Sequence, residues 1–195
     1  MPRRVDAHAP DRILAAAKEL LASRGFELKV EDIAAHAGVG VASIYRVWQT
    51  KEELISEVIE EMISESEKEL ERIGASPPNA VQAVTQANRV GFERVREYGL
   101  LAMLAFSGAM PEPYASRFNP RQAGLGPYFG HLIKLGIEQG HFRPDLDVRY
   151  NVLLWQGIVS PHALGNMLAH YPLREVRDKT NRALLRALGY SKEAE

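Results

Sequence analysis

Ser43, Arg46 and Lys51 are hydrogen-bond donors, two of them cationic, in a stretch that carries no carboxylate from Ile33 to Lys51. Such a set breaks no bonds. It suits contact with a polyanion, because an acid on the same surface would repel a phosphate backbone. Groupings that would signal catalysis are missing: the chain has no His-Glu-x-x-His and no phosphate-cradling glycine loop. A Glu-x-x-His spacing occurs once, at Glu138 and His141, but Gly140 interrupts it and a di-iron bundle needs two such pairs. His131, His162 and His170 are too scattered to be read as ligands. No enzyme, cofactor, catalytic residue or metal site is therefore expected.

The donors need a scaffold. Ile33, Ala34 and Ala37 fall at helical spacing, Gly38 can take the positive φ of a tight turn, and Val39 follows as an apolar plug. Ile44 and Trp48 recur four apart and face inward, with Ala42, Ser43 and Arg46 toward the other side. Val30 to Lys51 thus reads as helix, turn and second helix. Spacing alone leaves an ordinary helical hairpin open.

The run A-G-V-G-V-A-S-I-Y-R-V-W-Q-T-K-E-E-L, preceded by R-I-L-A-A-A-K-E-L-L-A-S-R-G-F, resembles the N-terminal domain of the TetR (tetracycline-repressor-like) family of bacterial transcription regulators. The resemblance covers roughly the first quarter of the chain. It implies that the second helix enters the major groove, offering Gly40, Val41, Ala42 and Ser43 to the bases, and that Tyr45 and Lys51 match backbone-contacting positions. Val41 and Ala42 would then discriminate by contact with thymine methyls, and Arg46 could reach a guanine edge or a phosphate. Thr50 completes the expected DNA-binding set. Two departures stand out: Lys29 replaces the usual Thr or Ser, losing a hydroxyl cap worth about 1 kcal/mol but adding a cation, and Gly40 replaces the usual Ser.

At 195 residues and 46% hydrophobic content, the chain can bury one substantial core or two smaller ones. It has no Cys, no apolar run near the roughly 18 residues that span a bilayer, and no signal-peptide core after Met1-Pro2-Arg3-Arg4. A soluble, cytoplasmic protein without membrane contact is expected. The net charge of −1 is unevenly spread. Residues 1–51 hold eight Lys and Arg against six Asp and Glu, residues 52–73 two against nine, and residues 74–195 fourteen against ten. Positive charge accompanies the proposed reading head, and an acidic block lies behind it.

Met1 to Pro10 reads as a loose arm, its Arg3 and Arg4 more readily solvated than in a minor groove. Asp11 can cap a helix whose stripe is Ile13, Leu14, Ala17, Leu20 and Leu21. Thr50-Lys51-Glu52-Glu53 is a capping box that starts a helix to about Ile73, roughly 34 Å long. Gly74-Ala75-Ser76-Pro77-Pro78 marks the boundary. Beyond it, Val81, Val84, Asn88, Phe92 and Val95 share a stripe, and Leu100 to Phe106 is apolar all round. Pro111, Pro113 and Pro120 mark a loop, Gly124 to Pro127 a turn into a helix from Tyr128 to Gln139. A further helix runs from Asp147 to about His170, kinked at Pro161, and a last one from Leu173 to Leu188.

The expected fold is all-α: a three-helix DNA-binding domain with a helix-turn-helix (1–50), a connecting helix (51–73) and a helical ligand-binding and dimerisation domain (74–195). Gly157, Pro161 and Gly165 leave one helix face bare, and Val176, Ala183, Leu184, Ala187 and Leu188 stripe the last helix. A four-helix homodimer interface could form from these, although both stripes could instead pack within one subunit. An effector cavity is expected among Phe92, Met103, Phe106, Met110, Tyr128 and Trp155, with Asn88, His131 and His162 as polar points. The resulting expectation is a homodimeric repressor that binds double-stranded DNA and is released by a small hydrophobic effector. A helical interaction module without DNA binding, or a small helical enzyme, is the alternative.

Overall fold

The computed structural model describes residues 8–75, 79–106, 110–123 and 125–190, with backbone alone for Phe106, residues 119–123 and Pro161. Among them are ten α-helices and no strand. The arm's Arg3 and Arg4 and the Ser76-Pro77-Pro78 boundary lie outside the described residues.

Helix α1 (Ala9–Arg24) starts earlier than Asp11 would allow as its cap. His8 is the N-cap, Pro10 fits the first turn because its missing N–H would be unpaired there anyway, and Asp11 becomes a first-turn acid favoured by the helix dipole. Ile13, Ala16, Ala17, Leu20 and Leu21 are buried. They face α2 (Val30–Ala37) and α4 (Lys51–Gly74), with the short α3 (Val41–Tyr45) closing the unit. Along α4, Leu54, Val58, Met62, Leu70 and Ile73 are all buried, as the stripe predicts.

Helix α5 (Ala80–Phe106) breaks at Gly99, whose φ of 42° and ψ of −118° are not helical. Its two ends serve different cores. Ala80, Ala83, Val84, Ala87 and Val90 pack with Leu132, Ile133, Trp155 and Leu184 in the C-terminal body. Tyr98, Leu101, Ala102 and Ala105 pack with α1 to α4 instead. The apolar segment after the break is not buried on every side, since Leu100, Met103 and Leu104 are only half-buried.

Three loop expectations need correction. Helix α6 (Tyr114–Ala123) runs through Pro120, because Tyr114, Ala115 and Phe118 bury one face against the N-terminal core and that burial outweighs the lost hydrogen bond. Helix α7 (Leu125–Glu138) begins before Tyr128, with Pro127 in the first turn, where proline is tolerated. Pro161 does not kink one helix but opens another: α8 (Val148–Ile158) ends, Ser160 caps, and α9 (Pro161–Leu168) starts with Pro161 in its first turn.

The last helix, α10 (Leu173–Ala187), puts Val176, Leu184 and, at its C-cap, Leu188 inside the same subunit, against α5, α8 and α9. Those three residues of the stripe pack internally, while Ala183 is exposed. Gly165 likewise faces inward, since a Cβ there would lie 2.9 Å from Met103 Cε, whereas one at Gly157 would meet open space.

Candidate nucleic-acid interface

Gly38 adopts φ 67° and ψ 35°, the left-handed conformation that lets α2 stop and the chain turn. The Gly38 and Val39 N–H groups donate back to the carbonyls of Ala35 and Ala34, at 3.3 and 3.0 Å, and Val39 packs onto the N-terminal core. Gly40 then caps α3 in an extended conformation, its carbonyl accepting from Ser43 N–H at 2.8 Å. Inside, Ile44 is fully buried and Trp48 is 4% exposed. The Trp48 indole N–H donates to Glu57 Oε2 at 2.5 Å, which pins the end of the recognition segment to α4.

The outward face is formed by Gly40, Ala42, Tyr45 and Arg46, all exposed, with Ser43 half-buried beside them. Val41 is half-buried against the N-terminal core, so only part of its surface faces out. Sequence reading overlooked Val47. It is as exposed as Tyr45, at 49%, and its position between outward Arg46 and inward Trp48 was the available signal.

The flanking residues have structural duties. Lys29 is the exposed N-cap of α2, and its ammonium has no lone pair with which to cap. Only half a capping box remains there: Asp32 Oδ2 accepts from the Lys29 backbone N–H at 3.0 Å. Thr50 Oγ1 accepts from Glu53 N–H at 3.1 Å, but the reciprocal carboxylate bond is displaced by one residue, Glu53 Oε2 accepting from Gln49 N–H at 2.6 Å. Thr50→Ala is expected to cost about 1 kcal/mol of stability, visible as a lower urea midpoint with unchanged slope. No change in midpoint would remove the hydroxyl from the start of α4. Lys51 is half-buried and donates through Nζ to the Phe26 carbonyl at 3.0 Å, leaving the ammonium's other donors for a phosphate.

The residues expected around an effector have different surroundings among the described residues. Asn88 is 1% exposed and committed, donating to Asn181 Oδ1 at 2.7 Å and accepting from the Trp155 indole N–H at 2.5 Å. Trp155 is fully buried with its ring 4.4 Å from that of Phe129. Phe92 belongs to a separate cluster with Val95, Leu164 and Val176, and Met110 packs with the N-terminal core. Met103 faces Gly165. His131 and His162 are exposed, and the Phe106 side chain lies outside the described residues. Phe92 and Trp155 are buried here, and spacing alone does not say which partners they meet.

Tyr128 differs from the rest. Its hydroxyl is buried with no hydrogen-bond partner among the described residues, and its ring abuts Gly74 at the end of α4. Burial, reinforced by the charge of Glu69, pushes the phenol up to about 12. His131, Lys134, Arg149, Val152 and Leu153 line an open groove of about 660 Å³ between α7 and α8.

Residues 13–58 match the family described as bacterial regulatory proteins, tetR family. Over 140 residues the chain is 26% identical to the HTH-type transcriptional repressor KstR2 of Mycobacterium tuberculosis, covering 70% of each. The solved structure of that organism's ketosteroid transcriptional regulator KstR2 superposes with a TM-score of 0.75 at 21% identity, over 97% of both chains. The transcriptional regulator FadR from Bacillus subtilis, solved in complex with stearoyl-CoA, gives 0.68 at 21% identity over 90% of this chain and 97% of that one. No helix among the described residues is long and apolar enough to cross a membrane. A recognition segment held outward by Ile44 and Trp48 therefore coincides with the stretch that the family profile matches, and residues 13–58 are the helix-turn-helix DNA-binding domain of the TetR family of bacterial transcription regulators.

Proposed function

We propose that the protein is a cytoplasmic, homodimeric repressor whose recognition segment reads double-stranded DNA and which a small hydrophobic effector releases. The observation that carries this reading is the outward face from Gly40 to Arg46, bare of carboxylates and rigidly backed by Ile44 and the Trp48–Glu57 bond. Ala42 and the free part of Val41 supply apolar contact to thymine methyls, and Arg46 supplies a guanine or phosphate contact. Ser43, Tyr45, Thr50, Lys51 and Lys29 surround them with donors for the backbone. The repressor reading follows KstR2, which its name describes as a repressor.

Lys51→Ala is expected to weaken binding to every duplex and to flatten the slope of log K against log salt by about one unit. Loss of the bond to Phe26 adds a modest fall in stability, which a melt measures separately. An unchanged slope would remove Lys51 from the phosphate contacts. Retardation of the gene's own upstream DNA, against an unrelated duplex at equal salt, tests the function itself. Equal binding to both would leave a module without sequence reading.

For pairing, α8 offers Tyr150 and Leu153, 64% and 61% exposed, with Gly157 open on the following turns. Apolar side chains this exposed at helical spacing suit a two-fold helix–helix contact. The internal packing of α10 leaves Ala183 as its outward contribution. For the effector, the FadR structure's stearoyl-CoA supports a molecule with a long apolar chain, and the Tyr128 hydroxyl, unpartnered among the described residues, offers it one hydrogen bond.

A further inference from the structure

Five side chains from three helices meet where the N-terminal unit rests on α5. Lys18 of α1 pairs with Glu97 of α5, and Arg94 of α5 pairs with Glu65 of α4 and, at 3.3 Å, with Glu97. Tyr98 is fully buried; its hydroxyl donates to Glu65 Oε2 at 2.9 Å, and Lys18 Nζ lies 4.3 Å from its ring centre. Burial tends to raise Glu65, but hydrogen bonds from Tyr98 and Arg94 outweigh it and hold the carboxyl below its ordinary range, so it stays charged.

The cluster ends at the break. Gly99 follows Tyr98 directly, and the carbonyl of Ala22 in α1 packs against it, 2.6 Å from where a Cβ would stand. Up to Val90, α5 belongs to the C-terminal core; from Tyr98 onward, to the N-terminal core. The Arg94 guanidinium is 15% exposed, yet its Nε is buried with no hydrogen-bond partner among the described residues. A buried donor left unpaired costs free energy, so this arrangement is under-satisfied and a shifted one can compete with it.

We propose that the Lys18–Glu97–Arg94–Glu65–Tyr98 cluster and the Gly99 break form a joint that sets the angle of the DNA-binding unit on the C-terminal body, so that opening the joint lowers DNA affinity. The proposal rests on the DNA-reading function for its second half only. Glu65 and Glu97 are positioning residues: they touch no DNA, and they act through α1 and α4, which carry the recognition segment. Ion pairs between separate helices, removed from bulk water on one side, resist sliding in a way that apolar contact alone does not.

The test is hydrogen exchange by mass spectrometry on the full chain, comparing wild type with Glu65→Gln/Glu97→Gln and with Glu175→Gln, which breaks an exposed pair to Lys179. Exchange over residues 14–24 and 94–104 is expected to rise about tenfold in the double variant, with residues 129–137 and 148–158 unchanged, and Glu175→Gln to resemble wild type. In parallel, retention of the upstream duplex at fixed salt is expected to fall at least fivefold in the double variant only. Unchanged exchange in the two segments, or a rise spread equally over both bodies, overturns the joint. A regional rise with undiminished DNA affinity overturns its control of binding. Failure of wild type to bind any duplex instead sinks the DNA reading, and exchange alone then decides the joint.

Discussion

Trp155→Ala is expected to destabilise the protein by about 3–5 kcal/mol, the range for deleting a large buried aromatic. Trp155 has no exposed surface, and its ring lies against Phe129. Truncation also orphans Asn88 Oδ1, which accepts the indole N–H and sits 1% exposed, and an unsatisfied buried acceptor costs about 1–3 kcal/mol on its own. Against a total stability of about 5–15 kcal/mol, that leaves little of the C-terminal body's margin. Trp155→Phe retains most of the volume and should lose mainly the acceptor's part. Urea unfolding measures both, and the chain's other tryptophan makes the readout informative. With Trp48 alone remaining, its fluorescence reports the DNA-binding unit while circular dichroism reports all helices. The two transitions should coincide, because Tyr98, Leu101, Ala105 and Phe118 contribute to the core beneath α1 to α4. A Trp155→Phe midpoint within experimental scatter of wild type would show that the Trp155–Asn88–Asn181 chain adds nothing beyond bulk.

That shared core explains where sequence reading stopped. Local chemistry was legible: Gly38 as a positive-φ turn, Ile44 and Trp48 as the inward pair, Thr50 as a cap and the buried stripe of α4 all follow from spacing or conformational preference over a few residues. What spacing could not say is which partner a stripe faces. Val176, Leu184 and Leu188 look the same in sequence whether they meet another subunit or α5, and here they meet α5, α8 and α9. The same blindness hides that the Asn88 amide is bound to Asn181, 93 residues away. Lys18 and Glu97 are 79 residues apart, so nothing periodic joins them. Even the break at Gly99 had a cue, a glycine at the change from a one-faced stripe to an all-apolar run, but its meaning needed the carbonyl of Ala22 beside it.

Gly99→Ala puts that last contact to a direct measurement. A φ of 42° already costs an L-residue roughly 1–2 kcal/mol. The added methyl would also lie 2.6 Å from the Ala22 oxygen, a backbone atom that cannot rotate away as a side chain would. Either α1 retreats or α5 straightens, and both disturb a core shared by the DNA-binding unit. The expected cost is about 2–4 kcal/mol, or a fall in melting temperature of roughly 5–15 °C for a chain of this size. Gly91→Ala, eight residues earlier in the same helix, is the control: it is helical, a methyl there meets no atom within 4 Å, and it should gain about 0.5–1 kcal/mol by removing a mid-helix glycine. Opposite signs from one substitution type in one helix isolate the close approach from helix propensity. If Gly99→Ala melts with or above wild type, α5 tolerates a continuous helix at that point and the contact with α1 does not hold the break in place.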